Sequence, residues 1–292
     1  MEQLALAEIG QRKVVPFTTG LLKWIGNKQR FAPEIASYFP ENFGTYFEPF
    51  VGSGAVLGTI APKRAVASDS FKPLIEIWQT LSKAPALLKE WYEERWHLYH
   101  LGNRVEQYER IKASFNARPN GADLLFLCRS CYGGVVRFRQ ADGYMSTPCG
   151  IHEPIHPRSF AKRVDEWASR LAGTSFRLME YEEAMELAKP GDLIYCDPPY
   201  SDTQAILYGA QSFSLTRLLT VIQRCKNRGV FVALSIDGTK RSGRHDVKLP
   251  IPKGLFEQEI SVHCGRSMLR RFQMNGKSLH EEVVTDRLLL TF

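Results

Sequence analysis

The sequence has no hydrophobic run long enough to cross a membrane. Its longest apolar stretches, such as 230–234 and 288–290, fall far short of the roughly 18 residues that a bilayer requires. The first 20 residues lack the order of basic, apolar and small residues that marks a signal peptide. The six cysteines are irregularly spaced in a chain of 292 residues, which does not indicate a disulfide framework. These absences favour a reducing, cytoplasmic compartment.

Internal repeats and low-complexity tracts are also absent, which excludes solenoid and linker architectures. Hydrophobic residues make up 44% of the chain and charged residues 24%, so wholesale disorder is excluded as well. Lys and Arg number 38 against 31 Asp and Glu, which gives a net charge of +7. This modest excess permits a polyanionic partner without establishing one.

Strands and helices alternate in both the first and the last part of the sequence. Strands are predicted at 45–51, 64–69, 175–180, 192–196 and 229–236, and final antiparallel strands at 256–264 and 283–292. Helices are predicted at 53–60 and 215–227, and residues 73–117 show long helical periodicity. This alternation predicts a doubly wound α/β sheet.

The helical stretch interrupts the sheet-forming pattern and predicts a second, inserted domain. We place the catalytic domain at 1–70 and 163–292 and the insert at 71–162. Within the insert, Asp142 and Gly143 stand between extended runs, and this dipeptide predicts a β-hairpin turn.

Asp197, Pro198, Pro199 and Tyr200 directly follow the predicted strand 192–196. Ligands of open α/β sheets bind at the carboxyl ends of strands, so this tetrapeptide lies where a site is expected. The two prolines make a stiff turn and remove two N–H donors. The carboxylate and an unpaired carbonyl suit the two N–H groups of a planar amine, on which the tyrosine ring stacks. A plain Pro-Pro loop at the end of a strand is the structural alternative.

Phe50, Gly52 and Gly54 lie on the turn after the first predicted strand. Glycines at this place let backbone N–H groups approach a ligand at a helix N-terminus. Asp69 ends the next strand, where an acid can hydrogen-bond the hydroxyl groups of a ribose. No Lys-Ser/Thr pair follows Gly54, which argues against an NTP-binding P-loop. A short G-x-G is by itself often only a tight turn.

Two patterns typical of metal sites carry little weight. His152 and His156 fit H-E-x-x-H, but Pro154 breaks the helix that this motif requires. Cys128 and Cys131 form a lone C-x-x-C without a second pair at ligand spacing, so packing thiols are the better interpretation. We therefore expect no metal ion at the site.

Four motifs occur in a specific order along the chain. They are KWIGNK at 23–28, EPFVGSGAV at 48–56, VASD at 66–69 and, after the helical insert, YCDPPYS at 195–201. The order resembles that of the Dam-like adenine-N6-specific DNA methyltransferases (D12 class, class α). This resemblance implies a Rossmann-like S-adenosylmethionine-dependent methyltransferase fold with an inserted helical plus β-hairpin target-recognition domain. It also implies methyl transfer from S-adenosylmethionine to the N6 amino group of a flipped-out adenine in duplex DNA.

The resemblance further implies roles for individual residues. The family positions that bind the cofactor correspond to Trp24, Lys28, Phe50, Gly52, Gly54, Asp69 and Asp197. The catalytic positions correspond to Asp197, Pro198, Pro199 and Tyr200. The Asp197 carboxylate and the Pro198 carbonyl would accept the N6–H groups, and Tyr200 would stack on the flipped base. Glu180 and Tyr181 would border the cofactor's adenine.

The segment 129–150 resembles the family's recognition hairpin. The implied DNA-binding residues are Arg129, Tyr132, Arg137, Arg139 and Pro148. Tyr132 would wedge into the duplex and Arg137 would read a base, with a phosphate contact or a surface charge as the alternative for Arg137. The sequence departs from the family pattern at Gly133, Arg139 and Cys149. The resemblance therefore does not imply the target sequence GATC of the best-known family members.

Asp at the first position of the catalytic tetrapeptide favours adenine, whereas Ser or Thr there would favour cytosine. The alternatives are a cytosine-N4 DNA methyltransferase, an enzyme acting on RNA, and a catalytically dead DNA-binding regulator. We expect double-stranded DNA as the partner. The sequence leaves open whether the protein acts alone or with a cognate restriction endonuclease in a restriction-modification system.

Overall fold

A computed structural model of the chain describes residues 12–139, 141–199, 213–237, 239–240, 245–246, 251–266 and 283–292. The strands are β1 Tyr46–Glu48, β2 Ala65–Asp69, β3 Thr174–Leu178, β4 Leu193–Cys196, β5 Phe231–Asp237, β6 Thr239–Lys240, β7 His245–Asp246, β8 Gln258–Arg266 and β9 Val283–Leu290.

The helices are α1 Ala32–Ser37, α2 Ala55–Ile60, α3 Lys72–Lys83, α4 Pro85–Tyr99, α5 Arg104–Ala117, α6 Gly121–Ser130, α7 Pro157–Arg170, α8 Tyr181–Glu186 and α9 Leu215–Asn227. A 3-10 turn, Tyr132–Gly134, follows α6. No helix in the part of the chain that the structure describes is both long and apolar enough to cross a membrane.

Seven strands form one sheet in the order β3-β2-β1-β4-β5-β9-β8. The five strands from β3 to β5 are parallel, while β9 pairs antiparallel with both β5 and β8. Each of the seven overlaps a predicted strand, with ends that agree to within three residues, and the antiparallel pairing of the last two is as predicted. The α/β fold class is confirmed.

Both faces of the sheet are buried, because successive side chains of a strand point to opposite faces. Tyr46 joins the larger hydrophobic cluster, which contains α1, α2, α3 and the helices of the insert. Phe47, its neighbour, joins a second cluster with α8 and α9. Parallel strands that are covered on both sides read as continuous apolar runs, and the predicted strands have this character.

Local sequence explains where several helices begin. Pro73, Pro85 and Pro157 lie in the first turns of α3, α4 and α7, where a missing N–H donor costs nothing. The side chains of Asn103 and Asn120 cap α5 and α6 by accepting backbone N–H groups, in α6 that of Asp123 at 2.8 Å.

The predicted insert shares a continuous core with the sheet. Trp78 of α3 stacks on Phe176 of β3, with ring centroids 5.5 Å apart. The predicted boundary between 162 and 163 falls inside α7, whose Trp167 packs against Trp78. Helices α3 and α7 therefore join the two predicted domains rather than separating them.

The predicted hairpin turn at Asp142 and Gly143 forms, but its strand pairing is short. The Arg139 N–H donates to the Tyr144 carbonyl at 2.9 Å, and isolated bridges join Phe138 to Met145 and Cys131 to Cys149. Residues 121–130, which precede this hairpin, form the fully buried helix α6.

We predict that Trp167→Ala lowers the free energy of unfolding by about 3–5 kcal/mol, because it empties a large buried volume. The indole is fully buried, donates to the Thr19 carbonyl at 2.8 Å and packs against Phe17. Urea denaturation followed by circular dichroism measures the loss. Leu87→Ala is the control, since Leu87 is 41% exposed and should change stability by less than about 1 kcal/mol. Equal losses in the two variants would contradict the packing described here.

Candidate active site

A cavity of about 980 Å³ lies at the carboxyl ends of β1, β2 and β4. Strand β1 is flanked by β2 on one side and β4 on the other, so the strand order reverses here. Such a switch point is where open α/β sheets bind ligands, and the volume is within the range of small-molecule sites. The sequence-predicted residues that line the cavity are Trp24, Lys28, Phe50, Gly52, Asp69, Glu180, Tyr181, Asp197 and Pro199.

The glycine loop after β1 is shaped by two tryptophans. Gly52 has φ +45°, and a Cβ at this position would lie 3.4 Å from the Trp24 indole nitrogen. Gly54 has φ +63°, and a Cβ there would come within 3.1 Å of the Trp78 ring. The Trp78 indole N–H also donates to the Gly52 carbonyl at 3.0 Å. The positive φ favours glycine at both positions, and the close approach of Trp78 adds to this requirement at Gly54.

Asp69 ends β2 beside this loop. Its carboxylate accepts the Phe71 N–H at 3.0 Å and, more distantly, the Gly52 N–H at 3.4 Å. Burial raises the pKa of Asp69 to about 6, against the opposing effect of these two backbone donors. The side chain is thus fixed in the cavity wall at the strand end where the sequence placed it.

Lys28 and Asp197 form a buried ion pair at the centre of the site. Lys28 Nζ lies 2.9 Å from Asp197 Oδ1 and 3.4 Å from Asp286 Oδ2. The Lys28 side chain is 7% exposed and that of Asp197 is 19% exposed. A charge removed from water to this extent needs a partner of opposite sign. Lys28 and Asp197 serve as such partners for each other.

Glu48 is a second buried acid in the cavity wall, at the end of β1. It is 3% exposed and accepts a hydrogen bond of 2.6 Å from the Tyr46 hydroxyl. Burial raises the pKa of Glu48 to about 8, and the negative charge of Asp197 acts in the same direction. The carboxyl is therefore mostly protonated at neutral pH.

Three aromatic rings line the far side of the cavity. Phe50 stacks on Tyr181 with centroids 5.2 Å apart, and Phe213 meets Phe50 edge-on at 6.0 Å. Arg217 of α9 pairs with Glu182 of α8 across the rim. The arrangement offers flat apolar surfaces with a charged edge, which suits a heteroaromatic ring.

The remaining predicted catalytic residues follow β4. Pro199 contributes to the cavity wall and Pro198 is buried behind it. Tyr200 lies outside the described residues.

The hairpin forms the wall opposite the glycine loop, and α5 holds it in place. The Asn116 side chain both accepts the Met145 N–H at 2.7 Å and donates to the Met145 carbonyl at 3.1 Å. The Tyr108 hydroxyl donates to the Thr147 carbonyl at 2.8 Å. Asp142, a hairpin residue, reaches the cavity rim.

Four of the five predicted DNA-binding residues are at least partly accessible on this hairpin. Tyr132, Arg139 and Pro148 are exposed and Arg137 is half-buried. Arg139 pairs with Asp142 and lies over the Tyr144 ring at 4.3 Å.

Arg129 is a correction to the predicted DNA-binding set. It is 5% exposed within α6, donates to the Leu21 carbonyl at 2.7 Å and lies over the Phe160 ring. A guanidinium that ties an internal loop to a buried helix cannot reach DNA without unfolding its surroundings. Its position in the sequence motif did not reveal this, because burial depends on the packing of α6.

The two patterns set aside in the sequence have structural explanations. Residues 151–156, with both histidines, lie outside the helices, so the histidines do not share a helix face. Cys128 and Cys131 are buried, and burial raises the pKa of the Cys128 thiol to about 11. A protonated, enclosed thiol is an unreactive packing group.

The model of the D12 class N6 adenine-specific DNA methyltransferases matches residues 24–247 of this chain. The chain belongs to this family. Its Asp-Pro-Pro-Tyr segment, glycine loop and intervening insert all fall inside the matched region. This membership favours adenine over the cytosine-N4 alternative, and the protein is an adenine-specific DNA methyltransferase.

Relatives of this methyltransferase carry corresponding names. The Type II methyltransferase M1.LlaDCHI of Lactococcus lactis subsp. cremoris is 30% identical over 234 residues, which cover 75% of this chain and 80% of that protein. A DNA adenine methylase of Vibrio cholerae serotype O1 is 27% identical over 237 residues, covering 76% and 83%. Among solved structures, the rRNA methyltransferase aviRa from Streptomyces viridochromogenes aligns at a TM-score of 0.34 and 12% identity, covering 89% of this chain and 83% of its own.

Sequence reasoning missed three buried groups of the methyltransferase site. Glu48 was visible as an acid inside an apolar strand, a combination that calls for a partner. Trp78 was recognised only as part of a helical pattern, although it shapes the glycine loop. Asp286 gave no signal, because only the sheet brings β9 next to Lys28.

We predict that Glu48→Gln removes part of the pH dependence of stability. A carboxyl whose pKa rises from 4.5 to about 8 on folding binds its proton more tightly in the folded state. The free energy of unfolding of the parent protein should therefore fall as pH rises from about 5 to about 8. The amide variant is neutral throughout and should show a smaller fall, because Asp69, whose pKa burial raises to about 6, still contributes. Urea denaturation at several pH values measures both slopes, and parallel curves would refute the assignment.

Proposed function

We propose that this methyltransferase binds S-adenosylmethionine in the cavity and methylates the N6 amino group of an adenine flipped out of double-stranded DNA. The observation that carries the proposal is the position of Asp197. Its carboxylate lies at the carboxyl end of β4, in one cavity with the glycine loop and Asp69, and its partner is the buried Lys28.

The residues present fit S-adenosylmethionine. Gly52 lines the cavity with a positive φ, Gly54 completes the same loop against Trp78, and Asp69 offers a fixed carboxylate to ribose hydroxyl groups. The residues that would hold the cofactor are Trp24, Lys28, Phe50, Gly52, Gly54, Asp69 and Asp197. The stacked rings of Phe50 and Tyr181 would border its adenine. When bound, the cofactor supplies an electrophilic methyl group on a sulfonium.

The chain's own task is to make the target amine a better nucleophile. The lone pair of an adenine amino nitrogen is delocalised into the ring. A hydrogen bond from N6–H to the Asp197 carboxylate, with a second to the Pro198 carbonyl, would localise this lone pair. Preorganised acceptors in a water-poor site are effective because they need no reorganisation during the reaction. Tyr200 is proposed to stack on the base.

The target base is inaccessible inside a duplex, so it must be extruded. We propose that the hairpin carries out recognition, with Tyr132 as the wedge and Arg137 as the base-reading side chain. Arg139 and Pro148 flank them on the exposed surface. The contact between Asn116 and Met145 supports this assignment, because it holds the hairpin at the mouth of the cavity.

A cognate restriction endonuclease is the remaining part of the proposal. One relative is named a Type II methyltransferase and others are named DNA adenine methylases. Digestion of DNA methylated by this enzyme, using endonucleases encoded beside it, distinguishes a protective role from a solitary one.

We predict that Asp197→Ala lowers the rate of methyl transfer by about a hundredfold or more, because the hydrogen-bond acceptor for the amino group is lost. Cofactor binding should remain partly intact. Purified protein is incubated with methyl-labelled S-adenosylmethionine and unmethylated plasmid DNA, followed by nucleoside analysis and sequencing of the modified positions. Asp165→Ala is the control, because Asp165 pairs with Lys89 on the exposed side of α7.

Label in N6-methyladenine within one short motif supports the proposal. Normal turnover by the Asp197→Ala variant would show that the mechanism is wrong. In a parallel reaction with RNA in place of the plasmid, label in the RNA and none in the DNA would show that the proposed substrate is wrong.

We predict that Arg137→Ala relaxes the choice of sequence more than it weakens nonspecific binding. An arginine that reads a base contributes about 1–3 kcal/mol of discrimination. Methylation rates on matched and singly mismatched duplexes should therefore converge by roughly tenfold or more. Arg177→Ala, which removes an exposed arginine from the edge strand β3, is the charge-matched control. A uniform loss on all duplexes would identify Arg137 as a phosphate contact.

A further inference from the structure

Asp286 contacts Lys28, a residue of the cavity wall, although it belongs to none of the sequence motifs. Its Oδ2 atom is 3.4 Å from Lys28 Nζ, and its side chain is 11% exposed. It is the fourth residue of β9, which is hydrogen-bonded to β5 on one side and β8 on the other. The carboxylate is therefore mounted on an interior strand of the sheet, whereas Lys28 comes from the loop before α1.

The ammonium of Lys28 thus has two carboxylate neighbours and not one. Asp197 is the closer at 2.9 Å, and Asp286 approaches from another strand. An ammonium has three donors, so it can serve both. All three side chains are largely removed from water, so their charges interact strongly. The position of the ammonium between the two acids therefore affects how strongly each carboxylate accepts other hydrogen bonds.

Other groups in the same place show that the charge of Asp286 reaches the site. Burial raises the pKa of Tyr195 well above its usual range, and the nearby acids Asp197, Glu48 and Asp286 act in the same direction. Tyr195 lies in β4, two residues before Asp197. Asp286 is therefore close enough to influence the groups at this end of β4.

We propose that Asp286 is a positioning residue for methyl transfer, which holds the Lys28 ammonium between two carboxylates so that Asp197 shares this cation and stays a strong hydrogen-bond acceptor. Without Asp286, the flexible lysine side chain would turn fully to Asp197. A carboxylate that is neutralised by its own ion pair accepts more weakly from the amino group. The inference rests on the role proposed above for Asp197.

The test compares Asp286→Asn with Asp286→Glu. The rate of methyl transfer is measured in single turnovers with saturating labelled S-adenosylmethionine and unmethylated plasmid DNA, and cofactor affinity is measured by calorimetry. We expect Asp286→Asn to slow transfer about tenfold or more, the usual cost of losing a hydrogen bond to a charged group. Cofactor affinity and the KM for DNA should stay within about threefold of the parent values. Asp286→Glu keeps the charge and should restore most of the rate.

Asp192→Asn is the matched control. Asp192 is a buried carboxylate at the opposite end of β4, and it accepts the N–H groups of Thr45 at 2.7 Å and Lys189 at 2.8 Å. The Asp192→Asn variant should lose stability but keep the transfer rate of its folded fraction. If it slows transfer as much as Asp286→Asn does, the effect is merely structural and the inference fails.

Three further results would overturn the inference: an unchanged rate in Asp286→Asn, a loss confined to cofactor affinity, or no rescue in Asp286→Glu. The Asp197→Ala variant separates this inference from the function on which it rests. An active Asp197→Ala variant refutes the proposed function itself. An inactive Asp197→Ala variant beside a fully active Asp286→Asn variant refutes only the role of Asp286.

Discussion

The parallel pairing of β1 with both β2 and β4 is the constraint on which the site depends. It brings three strand ends together, and each ends in an acid: Glu48 on β1, Asp69 on β2 and Asp197 after β4. The loops that follow these strands must diverge, which opens the cavity between them. At this edge the chain leaves β1 through the glycine loop and β4 through the Pro-Pro turn. Neither segment fills the cavity.

Gathering acids at one sheet edge creates an electrostatic problem, which the structure solves in different ways. Glu48 is kept mostly neutral by burial, and Asp69 is held by backbone N–H groups. Asp197 lies beside the ammonium of Lys28, which Asp286 also contacts. Buried ion pairs contribute little to net stability, which is consistent with the role in methyl transfer that we propose for this one.

The insert is joined to the catalytic sheet through aromatic packing. Trp78 touches the glycine loop, the sheet and Trp167 of α7, so it links cofactor loop, strands and insert. Asn116 fixes the hairpin to α5 in a comparable way, through hydrogen bonds to both the backbone N–H and the backbone carbonyl of Met145. The exposed face of the hairpin, which we propose as the DNA-binding surface, is thus positioned by the same core that supports the cavity.

Sequence by itself determined the fold class, the strand positions and the family, because apolar runs and motif order are local properties. It also indicated that Asp69 and Asp197 lie at the ends of strands, where the structure places them in the cavity wall. It misplaced Arg129 and gave no hint of Asp286. Whether an arginine faces DNA or a buried carbonyl depends on which helices cover it. That Asp286 meets Lys28, 258 positions earlier in the numbering, is decided only by the order of strands in the sheet.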